Sequence, residues 1–143
     1  MSTTETPKIV VGYDGSPSSN KAIDWAARQA ELTGATLEVI VAWEWPKTYG
    51  APMPLPEGFD PHADARNIAE DAGKQVAEQH PGVHVRLLTR EGHPAPVLVE
   101  ASHGAALLVV GSRGHGEFFG MLLGSVGEHC VTNAACPVLV VRT

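Results

Sequence analysis

Hydrophobic positions along the chain alternate between short contiguous runs and helical spacing. Lys8 to Tyr13 (KIVVGY) is a β-branched run that predicts a strand. Asp14-Gly15-Ser16-Pro17 ends it with turn chemistry, a serine N-cap and a proline suited to the first helical position. Ala22, Ile23, Ala26, Ala27 and Ala30 then share one helical face until Thr33-Gly34, and Thr36 to Trp43 (TLEVIVAW) predicts a second strand. This is one βαβ unit.

The segment 44–61 carries Pro46, Pro52, Pro54, Pro56 and Pro61 with Gly50 and Gly58, so it predicts an exposed loop. Asp60-Pro61 reads as the cap and start of a second helix whose apolar face is Ala65, Ile68, Ala69, Ala72, Val76 and Ala77. His80-Pro81-Gly82 breaks that helix, and a third strand is expected over Val83 to Arg90. Gly92-His93-Pro94 opens a third helix that closes at His103-Gly104, before the wholly apolar fourth strand, Ala106 to Gly111. A glycine-rich stretch then leads to a helix from about Ser125 to Ala134 and a last strand from Val138 to Arg142. Five strands alternating with four helices require crossovers, so the strands are expected to be parallel, in a three-layer α/β sandwich. Right-handed crossovers alone leave a few strand orders open.

Composition narrows the picture. With 143 residues, 43% hydrophobic and 18% charged, the chain is expected to form a single domain over 1–143. Its apolar stretches are too short for a membrane span, and Met1 to Lys8 has no secretory pattern, so a cytoplasmic protein is expected. The net charge is −6 and the ten Lys and Arg residues are scattered, which argues against nucleic acid as a partner. The seven histidines form no metal-ligand pair at helical spacing, and Cys130 and Cys136 read as inert thiols.

Candidate chemistry concentrates after the fourth strand, where Gly111, Gly114, Gly124 and Ser125 give the spacing G-x2-G-x9-G-S. Gly111 and Gly114 permit positive φ and remove the Cβ atoms that would keep a phosphate from main-chain N–H groups. Gly124 and Ser125 are expected to add unpaired amides of a helix N-terminus, its dipole and a hydroxyl. Arg113 reads equally as a solvated charge or a phosphate contact, Asp14 as a turn carboxylate or a ligand group, and Ser16 first as a helix cap. The apolar patch Phe118, Phe119, Met121, Leu122 and Leu123 is expected to pack on the domain or act as a lid.

This spacing, with VVGYDGSPSSNKAIDWA, GHPAPVLVEAS, LLVVGSRGHGEFFGMLLGSV and CPVLVVR in that order, resembles the ATP-binding branch of the universal stress protein family. The resemblance spans nearly the whole chain and implies an adenine nucleotide alpha hydrolase-like fold with strand order 3-2-1-4-5. Ligands in such sheets sit beyond the carboxyl ends at the reversal, here between the first and fourth strands. It further implies that Asp14 lies near adenine or ribose and that Val41, by its own character a core residue, lines the adenine pocket through its backbone. Gly12, Tyr13 and Ser16 are neighbours of that pocket. Gly111, Ser112, Arg113 and Gly114 are implied to wrap ribose and phosphates, and Gly124, Ser125 and Val126 to hold the phosphate tail. The edge strand 138–142 is implied to pair with its copy in a homodimer.

Three functions follow from different premises. The first is an ATP-binding regulatory or sensor protein, with AMP or cyclic AMP open as the ligand because the cradle does not fix phosphate number. The second is an ATPase or adenylate-forming enzyme with Asp14 acting on phosphate through Mg²⁺; the G-x-x-x-x-G-K-[ST] pattern is absent, so hydrolysis is expected to be slow. The third is a dimeric interaction module that needs no nucleotide. A flavodoxin-like electron carrier is a weaker fourth, since the turn from Asp14 to Ser19 lacks a threonine-rich phosphate loop.

Overall fold

A computed structural model describes residues 6–46, 55–113 and 123–142. The elements follow the order β1 (Lys8–Gly12), α1 (Pro17–Thr33), β2 (Thr36–Trp43), α2 (Pro61–Gln79), β3 (Val85–Glu91), α3 (Pro94–Ala101), β4 (Leu107–Gly111), α4 (Ser125–Asn133) and β5 (Val138–Val141). All strands are parallel in one sheet of order β3-β2-β1-β4-β5. The reversal expected between the first and fourth strands is therefore present. Strand three begins two residues later than the apolar pattern implied, because His80 to Val83 closes a turn in which Val83 N–H donates to His80 O at 3.0 Å.

Alternation along the strands divides the core in two. Ile9, Val11, Leu37, Val39, Val41 and Val109 face α1 and α2, while Val10, Ile40, Leu108 and Val110 face the side of α3 and α4. Val10 and Val11 are fully buried on opposite faces of the same strand, each contributing about 1.5–3 kcal/mol. Helix α1 presents mostly alanine to the sheet, with Ala22, Ala26, Ala27 and Ala30 buried beside Ile23, so its axis runs close to the strands. Ser16 caps it through Ser19 N–H, and Gly34 at φ 74° ends it with an N–H to Ala30 O. In α2 the Asp60 carboxylate accepts from the N–H groups of His62 and Ala63.

Within the proline-rich stretch, the described residues 44–46 and 55–60 hold only a turn, in which Phe59 N–H donates to Pro56 O and Gly58 has φ 79°. Residues 47–54 lie outside the described residues. Among the described residues, no helix is long and apolar enough to cross a membrane.

Helices α1 and α2 are joined by a polar clamp that periodicity does not reveal. His80, at the end of α2, is buried with Nε2 2.9 Å from Asp24 Oδ1 and Nδ1 hydrogen-bonded to Glu31 Oε1. Arg28 also pairs with Asp24, at 3.2 Å. Carboxylates at both ring nitrogens require N–H at both, which is the protonated ring. The bond to Asp24 raises the His80 pKa most, burial opposes it, and Glu31 raises it further. A raised folded pKa gives stabilisation that is complete below the ordinary histidine value and lost as pH climbs through the raised one. His80→Gln is therefore expected to cost about 1.5 kcal/mol at pH 6 and less at pH 9. Urea unfolding midpoints at the two pH values check this, and a deficit that grows with pH contradicts it.

Candidate functional site

Because β1 and β4 are neighbours whose following helices lie on opposite faces of the sheet, their carboxyl ends part and leave a crevice. The space between its walls, open solvent included, is about 600 Å³. Gly12, Tyr13 and Asp14 form one lip, Gly111, Ser112 and Arg113 the other, and Gly124, Val126 and Gly127 close the end. Ile40, Ala42, Leu98 and Val110 make an apolar wall. An apolar slot beside main-chain donors suits a ligand with a flat apolar part and an anionic part.

On the β1 lip, Tyr13 N–H still donates to Ile40 O at 3.0 Å, extending the ladder one residue past the strand. Asp14 then turns the chain: its Oδ1 accepts Ser16 N–H at 2.9 Å, and its own N–H donates to Ser19 Oγ at 3.3 Å. The turn carboxylate and the crevice carboxylate are thus one group. The Tyr13 hydroxyl donates to Asn20 Oδ1 at 2.7 Å, and burial, followed by Asp71 and Asp14, pushes its pKa up, so the phenol stays neutral.

The β4 lip corrects the glycine argument. Positive φ among the described residues occurs at Gly15, Gly34, Gly58, Gly92 and Gly104, not at Gly111. A Cβ on Gly111 would lie 2.8 Å from the carbonyl carbon of Ser18, a backbone atom of α1 that cannot step aside. Close helix–strand packing is what demands glycine there. Gly12 differs, since its added Cβ meets the side-chain end of Leu98 at 2.6 Å. Ser112 is buried with both main-chain groups engaged: its N–H donates to Val141 O at 2.8 Å, and its carbonyl accepts from Gly124 N–H. The Gly124 amide is therefore not the unpaired donor expected from its place before a helix; it ties the mouth of α4 to the β4 exit.

Helix α4 has Gly124 at its N-cap and no side-chain cap bond, so the first-turn amides find no acceptor inside the helix. In α3, whose N-terminus also reaches the crevice at Pro94, Pro94 and Pro96 both lack N–H. The positive helix end of the site accordingly belongs to α4. Of the remaining expected residues, Ser16 is buried as the α1 cap, and Ser125 is exposed on the first turn of α4; neither lines the crevice. Val41 is buried toward α1 and α2, while its neighbours Ile40 and Ala42 line the wall. Gly114 and the patch from Phe118 to Leu122 lie outside the described residues.

Ile40, Ala42, Leu98, Val110 and Gly127 were not singled out in the sequence. Two-residue alternation from Gly12, paired with Ile40, could have identified the β2 pair. Gly127 had the weaker signal of a glycine in the first turn of a helix. A second hollow, of about 680 Å³, lies between α3 and the β2–β3 half of the sheet. Size does not favour the first, but charge does. The second holds Glu38, Glu91 and Glu100 against the two cations Lys8 and Arg90, with buried Glu38 3.8 Å from Lys8 Nζ and 3.7 Å from Arg86. Asp14 is the single carboxylate among the described lining residues of the first. An anion is repelled less there.

The profile of the Universal stress protein family matches residues 5–142. A universal stress protein of Mycobacterium tuberculosis strain H37Rv is 35% identical over 143 residues, an alignment that covers 94% of this chain and 47% of that protein. The chain thus spans about half the length of the curated relatives it matches. Among solved structures, a universal stress protein in complex with cAMP superposes with a TM-score of 0.73 at 29% identity, covering 96% of this chain and 97% of the other. A protein of the same family from Burkholderia pseudomallei gives 0.68 at 25% identity, covering 95% and 96%.

The two crevice glycines should respond differently to a methyl group. Gly111→Ala is expected to cost about 2 kcal/mol or more, since backbone must move, and Gly12→Ala less, since a leucine end can turn. Urea denaturation of both variants checks the contrast, and equal costs contradict the packing argument.

Proposed function

We propose that this chain, which belongs to the universal stress protein family, binds ATP in the crevice between the ends of β1 and β4 and acts as a nucleotide-dependent regulator in stress response. The observation that carries the nucleotide reading is an apolar wall, Ile40, Ala42, Leu98 and Val110, lying beside the side-chain-uncapped N-terminus of α4. A purine needs the first and a phosphate the second. The cAMP complex of a relative at 29% identity supports the adenine class and favours AMP or cyclic AMP as the second reading.

Arg113, lining the same lip, is proposed to meet the outer phosphates, and Asp14 the ribose or adenine side. Gly114, which the family resemblance assigns to the same cradle, follows Arg113 outside the described residues. Magnesium, when bound, would neutralise phosphate charge, and it ordinarily takes one or two carboxylates beside phosphate oxygens. Asp14 fits that count and is the residue proposed to hold it through water. The described residues contain no group of three or more His, Cys, Asp or Glu arranged for a metal, so the ion is proposed to enter with the nucleotide. The crevice offers no lysine among its described lining residues, which supports binding with at most slow hydrolysis.

Dimerisation through the last strand has its own support. Of the two sheet edges, β3 carries Arg86, Arg90 and Glu91, charges that deter another strand, whereas β5 reads Val138-Leu139-Val140-Val141. The segment 138–142 is therefore proposed as the homodimer seam.

Calorimetric titration of the full chain should give saturable binding of ATP, with AMP and cyclic AMP as competitors. Gly127→Leu, which adds bulk at a crevice-lining position where a Cβ already meets Leu123 Cδ1 at 2.7 Å, should weaken ATP binding by more than about tenfold. The same samples should sediment as two copies. No heat with any adenine nucleotide, or unaltered affinity in a folded Gly127→Leu variant, contradicts the reading.

A further inference from the structure

Three serines at the start of α1 are nearly inaccessible to solvent, Ser16 at 3%, Ser18 at 4% and Ser19 at 5%. One cap suffices for a helix, and Ser16 supplies it by accepting Ser19 N–H at 3.2 Å. The other two hydroxyls each reach a lip of the crevice. Ser19 Oγ donates to Ser16 O at 3.0 Å and accepts Asp14 N–H at 3.3 Å, which fixes the β1 lip. Ser18 Oγ accepts Arg113 N–H at 3.2 Å across 95 positions of sequence, which fixes the β4 lip. A single helical turn thereby grips the main chain on both sides of the crevice.

We propose that Ser18 is the positioning residue of the crevice: without lining it, its hydroxyl sets where the β4 lip stands, while Ser19 sets the other. Gly111 makes the grip possible, because any side chain there would push Ser18 away from the strand exit. With the Ser18 hydroxyl removed, the Arg113 amide loses this acceptor and the β4 lip loses one of its holds, beside those that run through Ser112 to β5 and to the mouth of α4. A ligand then has to order that lip at its own expense, and affinity falls. The consequence for affinity rests on the nucleotide reading above; the grip itself does not.

The test compares the full-length wild type with Ser18→Ala and with Ser102→Ala. Ser102 is the control because it too is a buried hydroxyl accepting a main-chain amide, Ala135 N–H at 2.8 Å, but outside the crevice lining. Amide hydrogen exchange on the nucleotide-free proteins should show faster exchange at Arg113 in Ser18→Ala only. ATP titration should show affinity reduced about tenfold in Ser18→Ala, as for one lost hydrogen bond, and unchanged in Ser102→Ala at a comparable drop in Tm. If Ser18→Ala does not fold, Ser18→Cys, with a weak acceptor of similar size, should give a smaller change of the same kind. Unchanged exchange at Arg113 overturns the grip, and equal affinity losses in the Ser18 and Ser102 variants overturn its specific role. A wild type that gives no heat with ATP defeats the nucleotide reading, while the exchange result still decides the grip.

Discussion

The crevice depends on how closely α1 approaches the exit of β4. Ser18 lies where a side chain on Gly111 would be, so the helix can reach the strand only because that position has none. From this contact follow the placement of Arg113 beside Ser18 and, through Ser112, the link from β5 to the mouth of α4. Local structure, packing and the candidate site therefore meet at one residue pair. Loosening it moves the β4 lip while leaving the sheet ladder in place, since β4 is still paired with β1 and β5 on its two sides.

The proposed ligand is an anion, and the protein that would receive it is acidic. Net charge is −6, so long-range attraction does not gather phosphates. In the proposed reading the positive potential comes instead from the backbone at the N-terminus of α4, with Arg113 on the lip beside it. Helix dipoles act over about one turn, which makes position decisive. The polar hollow near Glu38 illustrates the alternative: three carboxylates line it against two cations, Lys8 and Arg90.

Much of the fold was legible because each element announces itself locally. Ser16-Pro17 and Asp60-Pro61 start helices by a mechanism that needs no tertiary context, and both caps are present. Alternating strands and helices predicted a parallel layered sheet, although its order came from family resemblance and from the structure. The site was legible as a region and less so as chemistry. Gly111 and Gly124 were recognised by spacing, yet the reason for the first is packing and the amide of the second is already bonded. Neither fact is visible in one dimension, because Ser18 and Ser112 reach them from elsewhere. The His80 clamp escaped for the same reason: its partners, Asp24 and Glu31, precede it by 56 and 49 residues.

The central claim is that an adenine nucleotide occupies the space between the β1 and β4 exits. Amide chemical-shift mapping during titration with ATP tests it most directly. The account predicts that the largest shifts fall on Gly12, Asp14 and Ala42 at the slot and on Arg113, Val126 and Gly127 at the anionic end. Shifts centred instead on Glu38, Leu88 and Arg90, or none at saturating nucleotide, would contradict it.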